Sequence, residues 1–158
     1  MNENISLSEH LTLAEMEHSD TAIKLGIDNS APPEAIEHLK RFALEIFEPV
    51  RALVNAPVHV TSGFRCTELE KALGRGILVN QHLTGNAGDT HVTGMTLEGL
   101  FNMIRVHPGI PYDQLIIEGG CVHISGGVDK PRRMAMIEHH ENGHYSYEHV
   151  ANHAEVQA

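Results

Sequence analysis

The sequence predicts an α+β fold in which a small antiparallel sheet packs against helices. The expectation rests on an apolar stripe at helical spacing in the first third of the chain and on short β-branched runs between turn residues in the second half. Between them lies a glycine-rich stretch with no periodicity. Hydrophobic residues make up 41% and charged residues 20% of the 158, which fits one domain able to bury a core without disulfides.

The elements follow in chain order. Leu11, Leu13 and Met16 read as a short helix or turn, and the polar stretch Glu17 to Thr21 as a surface wrap. After Pro32 and Pro33, the residues Ile36, Leu39, Ala43, Ile46, Val50 and Leu53 step by three and four, as in an amphipathic helix that starts on proline. Pro49 interrupts the pattern, so the helix kinks there or a second one begins. Val58 to Thr61 reads as a strand entering a turn at Ser62 and Gly63, and Cys66 to Leu73 as a short helix closed by Gly74 and Gly76. From Gly76 to Thr96, Gly85, Gly88 and Gly94 shape a region that holds polar side chains, the usual setting for a site. Thr96 caps a helix whose Leu97, Leu100, Phe101 and Ile104 face one way, ended by Pro108, Gly109 and Pro111. Leu115–Ile117, Cys121–Ile124 and Met134–Ile137 read as three strands of the sheet. The domain is drawn at residues 1–138, followed by a polar His-rich tail at 139–158 in which Asn142 and Gly143 mark a hairpin toward Tyr145 and Tyr147. The tail histidines, His139, His140, His144, His149 and His153, are expected to be solvated, the alternative being a weak scavenger of metal.

Composition excludes several partners. A formal net charge of -10, with Lys130, Arg132 and Arg133 as the main basic group, argues against nucleic acid. No segment suits membrane insertion, and Met1 to Leu13 lacks the basic start and apolar run of a signal peptide. Cys66 and Cys121 are expected as reduced thiols without a catalytic role.

The glycine-rich stretch contains His82 and Asp89, and His123 follows on the second of the three expected strands. Two imidazoles and a carboxylate suffice for a catalytic zinc, which takes three protein ligands and leaves a fourth position for water. Spacing alone leaves open whether these are ligands or structural polar residues.

Read in order, Thr61–Arg65 (TSGFR), Gln81–Asp89 (QHLTGNAGD), Asp113–Glu118 (DQLIIE) and Val122–Ser125 (VHIS) resemble the successive motifs of zinc D-Ala-D-Ala carboxypeptidases and phage endolysins. The resemblance runs from about Leu7 to Ile137 and includes Glu48, Pro49, Val50 and Arg51. It implies the fold shared with lysostaphin-type peptidases and the hedgehog domain, Zn2+ as cofactor, and His82, Asp89 and His123 as its ligands. Arg65 would line the substrate site and hold a carbonyl or oxyanion, its bland alternative being a salt bridge from the turn to the sheet. Glu118 would be the general base, the alternative being a carboxylate bonded to a ligating histidine. The chain departs from the pattern at Gly120, where several endolysins have an acidic base, at Cys121, where an aromatic residue is usual, and at Asn80, where a small residue is common.

The expected function is zinc-dependent hydrolysis of a peptide bond in the bacterial peptidoglycan stem, as a D,D-carboxypeptidase or an endopeptidase. The expected site of action is the cell wall, reached from the cytoplasm through a holin or aboard a virion. The alternative is a structural or binding component of a phage particle, with virion proteins as partners, that keeps fold and metal without turnover.

Overall fold

The computed structural model describes residues 5–74 and 80–152. The chain opens with a small hairpin, β1 (Ser6–Ser8) and β2 (Leu11–Thr12), leading into α1 (Leu13–Glu17). Thr12 and Glu15 form a reciprocal capping box that starts α1. Ser19 caps α2 (Asp20–Leu25), which ends at Gly26 with φ 67°. The stretch expected as a polar wrap thus contains the start of a capped helix.

The long amphipathic helix is present as α3 (Pro33–Phe42), a π-helical turn (Ala43–Phe47) and α4 (Glu48–Val54) in unbroken succession. Its stripe, Ala35, Leu39, Phe42, Ala43, Ile46, Phe47 and Val50, is buried. Pro49 neither breaks nor splits it. The Glu48 N–H donates five residues back to the Ala43 carbonyl, and this widened turn makes room for the ring of a residue that has no N–H to give.

The main sheet has the order β3-β4-β6-β5-β7-β8, with β3 at His59–Ser62, β4 at Ala87–His91, β5 at Gln114–Glu118, β6 at Cys121–Ser125, β7 at Met134–Glu141 and β8 at His144–Val150. Every pairing is antiparallel except β5 with β7, so the sheet is mixed rather than wholly antiparallel. The parallel pair arises because the connection from β6 crosses over β5 to reach β7. That crossover is held by Asp113, whose carboxylate accepts from the Arg132 N–H, Nε and Nη2 at 2.8, 3.0 and 2.7 Å.

β4 was not expected as a strand. It sits between β3 and β6 with Ala87 through Thr90 all buried, so no in-out alternation marks it in the sequence. Gly88 is the close point: a Cβ there would lie 3.3 Å from the Phe42 ring. The expected boundary at residue 138 falls inside β7, and the tail through Val150 belongs to the sheet as a β7–β8 hairpin turned at Asn142 and Gly143. His139 meets Glu148 at 2.8 Å and His140 stacks on Tyr145 at 4.3 Å, so these tail histidines are exposed but partnered. Gly76 and His153 lie outside the described residues.

Leu115, Val122, Ile124 and Ala135 point from one face of the sheet into the core shared with the long helix and α7 (Leu97–Arg105), which Thr96 caps as expected. Cross-strand register places Asp89, His123, Ile116 and Met136 in a row on the other face. Among the described residues no helix is long and apolar enough to cross a membrane, and no disulfide joins Cys66 to Cys121.

Candidate metal centre

His82 comes from a helix of a single turn, α6 (Gln81–Thr84), while Asp89 and His123 face each other directly across β4 and β6. Short as it is, α6 is well terminated. The Asn80 side chain accepts from the His82 N–H at 3.0 Å, and Gly85 closes the turn at φ 82°. Asn80, one of the departures from the expected pattern, is therefore the cap that starts the turn bearing His82. Gln81 ties α6 to the crossover by donating to Asp113 at 3.0 Å.

The three side chains are buried, and their donor atoms converge. His82 Nε2 lies 3.2 Å from His123 Nδ1 and 3.3 Å from Asp89 Oδ1, and His123 Nδ1 lies 3.0 Å from that same oxygen. A tetrahedral zinc with bonds of about 2.0–2.1 Å holds its ligand atoms about 3.3 Å apart, so this triangle fits one face of such a coordination shell. The Gly63 carbonyl lies 2.6 Å from His82 Nδ1 and can only accept, so Nδ1 carries the proton and Nε2 presents its lone pair to the triangle. Burial pushes the His82 imidazole below its ordinary pKa despite the opposing pull of Asp89, which keeps it in the neutral, ligating form. Burial would raise the Asp89 carboxyl, but its polar surroundings, with the hydrogen bond from His123 foremost, outweigh it and hold the group well below the carboxylate range.

Arg65 and Glu118 are both brought to this centre, in different ways. Glu118 ends β5 opposite Cys121, across the Gly119–Gly120 turn, and its Oε1 stands 3.6 Å from His123 Nδ1 with the side chain 17% exposed. Its carboxylate is thus at the rim of the donor triangle and open to solvent. Arg65 is 4% exposed in its side chain and turns inward. Its Nε donates to Ser62 Oγ at 2.8 Å, Nη1 to Glu70 Oε1 at 3.1 Å and Nη2 to Asp89 Oδ2 at 2.7 Å. The geometry is that of a brace on Asp89, the salt-bridge alternative of the sequence reading, and not of a group extended toward substrate.

The His-Asp-His triangle thus has two corners on the sheet and one on α6, with an acid at its rim. The sequence profile of the Peptidase M15 family matches residues 9–125. The chain belongs to the Peptidase M15 family. It is therefore of a metallopeptidase family whose members are metal-dependent, generally on zinc, and the residues present fit that ion. A comparison with curated proteins returns no match. The match ends at Ser125, so β7 and β8 lie beyond it.

Sequence reasoning missed Glu70 and Asp113 as parts of the M15 site's frame. Glu70 stands in a short helix, α5 (Thr67–Ala72), as one of several charges in Thr-Glu-Leu-Glu-Lys, where no spacing marks it. Asp113 had a faint signal as the first residue of the DQLIIE motif.

Proposed function

We propose that this M15 protein is a zinc-dependent peptidase that hydrolyses a peptide bond in the stem of bacterial peptidoglycan, with Glu118 as its general base. The observation that carries the reading is the converged triangle of His82, Asp89 and His123 with the Glu118 carboxylate 3.6 Å from one of its corners. Zinc held there would polarise the scissile carbonyl and acidify a water. The rest falls to the chain itself. Glu118 Oε1 would serve as the proton acceptor at the rim and return the proton to the leaving amine, a role that its position near His123 and its partial exposure support. His82 is fixed by Gly63 and His123 by its strand, so neither donor has to reorganise when substrate arrives.

The test is mass spectrometry of fragments released from purified sacculi, with and without a chelator and after zinc is restored. Zinc-dependent products support the reading, and their masses name the bond and separate a carboxypeptidase from an endopeptidase. A folded, zinc-loaded sample that releases nothing overturns it and favours the non-catalytic phage-particle role. Binding to virion proteins at fixed stoichiometry would then be the matching observation.

A further inference from the structure

Glu70 is completely buried, at 0% exposure, and the mechanism above gives it no task. One of its oxygens receives the Arg65 Nη1 proton at 3.1 Å, while Oε2 has no hydrogen-bond partner among the described residues. A buried ion pair is a poor source of net stability, so the needs of the fold do not explain a carboxylate here. Its surroundings do. Arg65 is clamped at all three nitrogens, by Ser62, Glu70 and Asp89, so the plane of its guanidinium is fixed. The Arg65 bond occupies Asp89 Oδ2 and leaves Oδ1 as the oxygen that faces His82 and His123.

The turn that bears Arg65 is itself pinned. The Cys66 N–H donates to Asn29 Oδ1 at 2.8 Å, Asn29 Nδ2 donates to the Phe64 and Glu17 carbonyls, and the Phe64 N–H reaches the Met16 carbonyl at 2.7 Å. A cation so placed has a consequence for the ion. Alone beside Asp89, the guanidinium would draw on the carboxylate that must serve a dication and would repel that dication as well. A second carboxylate on its far side shares the guanidinium and cancels its charge.

We propose that Glu70 is a positioning residue for the metal centre, acting through Arg65 to select the Asp89 oxygen that faces the ion and to neutralise the cation behind it. The inference rests on reading His82, Asp89 and His123 as metal ligands, and it gives Arg65 a role behind the site instead of against the substrate.

The experiment measures zinc affinity by competition with a chromophoric chelator, together with the visible spectrum of the cobalt(II)-substituted protein, for wild type, Glu70→Gln and Glu70→Asp. Circular dichroism and thermal melting of the metal-free forms are recorded alongside. Glu70→Gln can keep the hydrogen bond while losing the charge, and its Kd for zinc is expected to rise about 10- to 100-fold, the usual effect of losing an outer partner of a ligand. Its cobalt bands are expected to shift, whatever the change in the metal-free melting temperature. Lowered melting with wild-type zinc Kd and cobalt bands would show a merely structural role and overturn the proposal. Where the Gln form does not fold, Glu70→Asp decides: it keeps the charge but draws it back from Nη1, so a smaller rise in Kd is expected, and wild-type Kd and bands overturn the proposal. Failure of wild type to bind zinc or cobalt removes the metal-centre reading, and this inference with it, whereas wild-type binding without an effect of Glu70 removes the inference alone.

Discussion

Glu118 at the rim of the donor triangle and His82 at one of its corners predict different phenotypes. Glu118→Gln keeps the donor triangle and removes the proton acceptor at its rim, so kcat on released stem peptides should fall about 100- to 10,000-fold with zinc still bound. Metal content by atomic absorption checks the second half of that statement. His82→Ala removes a corner of the triangle, and both zinc and activity should be lost together. Glu118→Gln protein that keeps wild-type turnover would return Glu118 to the alternative of a carboxylate that only orients His123.

The elements around the site divide into those that frame the His-Asp-His triangle and those that hold the core, and single substitutions separate them. A Cβ at Gly63 would lie 2.6 Å from the Met16 carbonyl oxygen, backbone that cannot easily yield. Gly63→Ala should therefore displace the carbonyl that orients His82, costing about 1–3 kcal/mol of stability and weakening zinc binding as well. Thr96 caps α7 by accepting from the Gly99 N–H at 3.0 Å, on the far side of the sheet. Thr96→Ala should cost about 1 kcal/mol in urea unfolding and leave the zinc Kd unchanged. The contrast between the two variants tests whether the β3 turn belongs to the metal centre or only to the fold.

For the whole molecule, metal and pH each leave a readable mark on stability. A ligand that binds only the folded state stabilises it, so free zinc at 1,000 times its Kd should add about 4 kcal/mol, read as a rise in melting temperature that a chelator reverses. One part of the acid response, away from the metal centre, is expected at Asp113. The Arg132 hydrogen bonds hold its carboxyl below the ordinary value, and the group is buried where α6, β5 and the crossover meet. A carboxyl depressed in the folded state stabilises when ionised, fully above its unfolded value of about 3.9, and loses that contribution as pH falls through the folded value. Asp113→Asn should thus be less stable than wild type by roughly 1–3 kcal/mol at pH 7, with the gap closing below about pH 4. Urea midpoints measured at both pH values check it, and a gap that does not change with pH would assign the loss to shape instead of charge.

The amino-acid sequence determined the long helix, the strands around Leu115, Val122 and Ala135, the capped helix after Thr96 and the motifs that carry His82, Asp89 and His123. Each of these is written in local chemistry: helical spacing, β-branched runs, a capping hydroxyl, and motifs whose residues lie close together in the chain. The tertiary structure decided what depends on distant partners. β4 became a strand because β3 and β6 flank it, although its own residues, Ala-Gly-Asp-Thr-His, carry no alternation. The sheet became mixed because the chain after β6 crosses β5. Arg65 turned inward because Glu70 and Asp89, 5 and 24 residues away, offered it buried carboxylates. A guanidinium meets a carboxylate wherever folding places one, and no spacing in the sequence records that meeting.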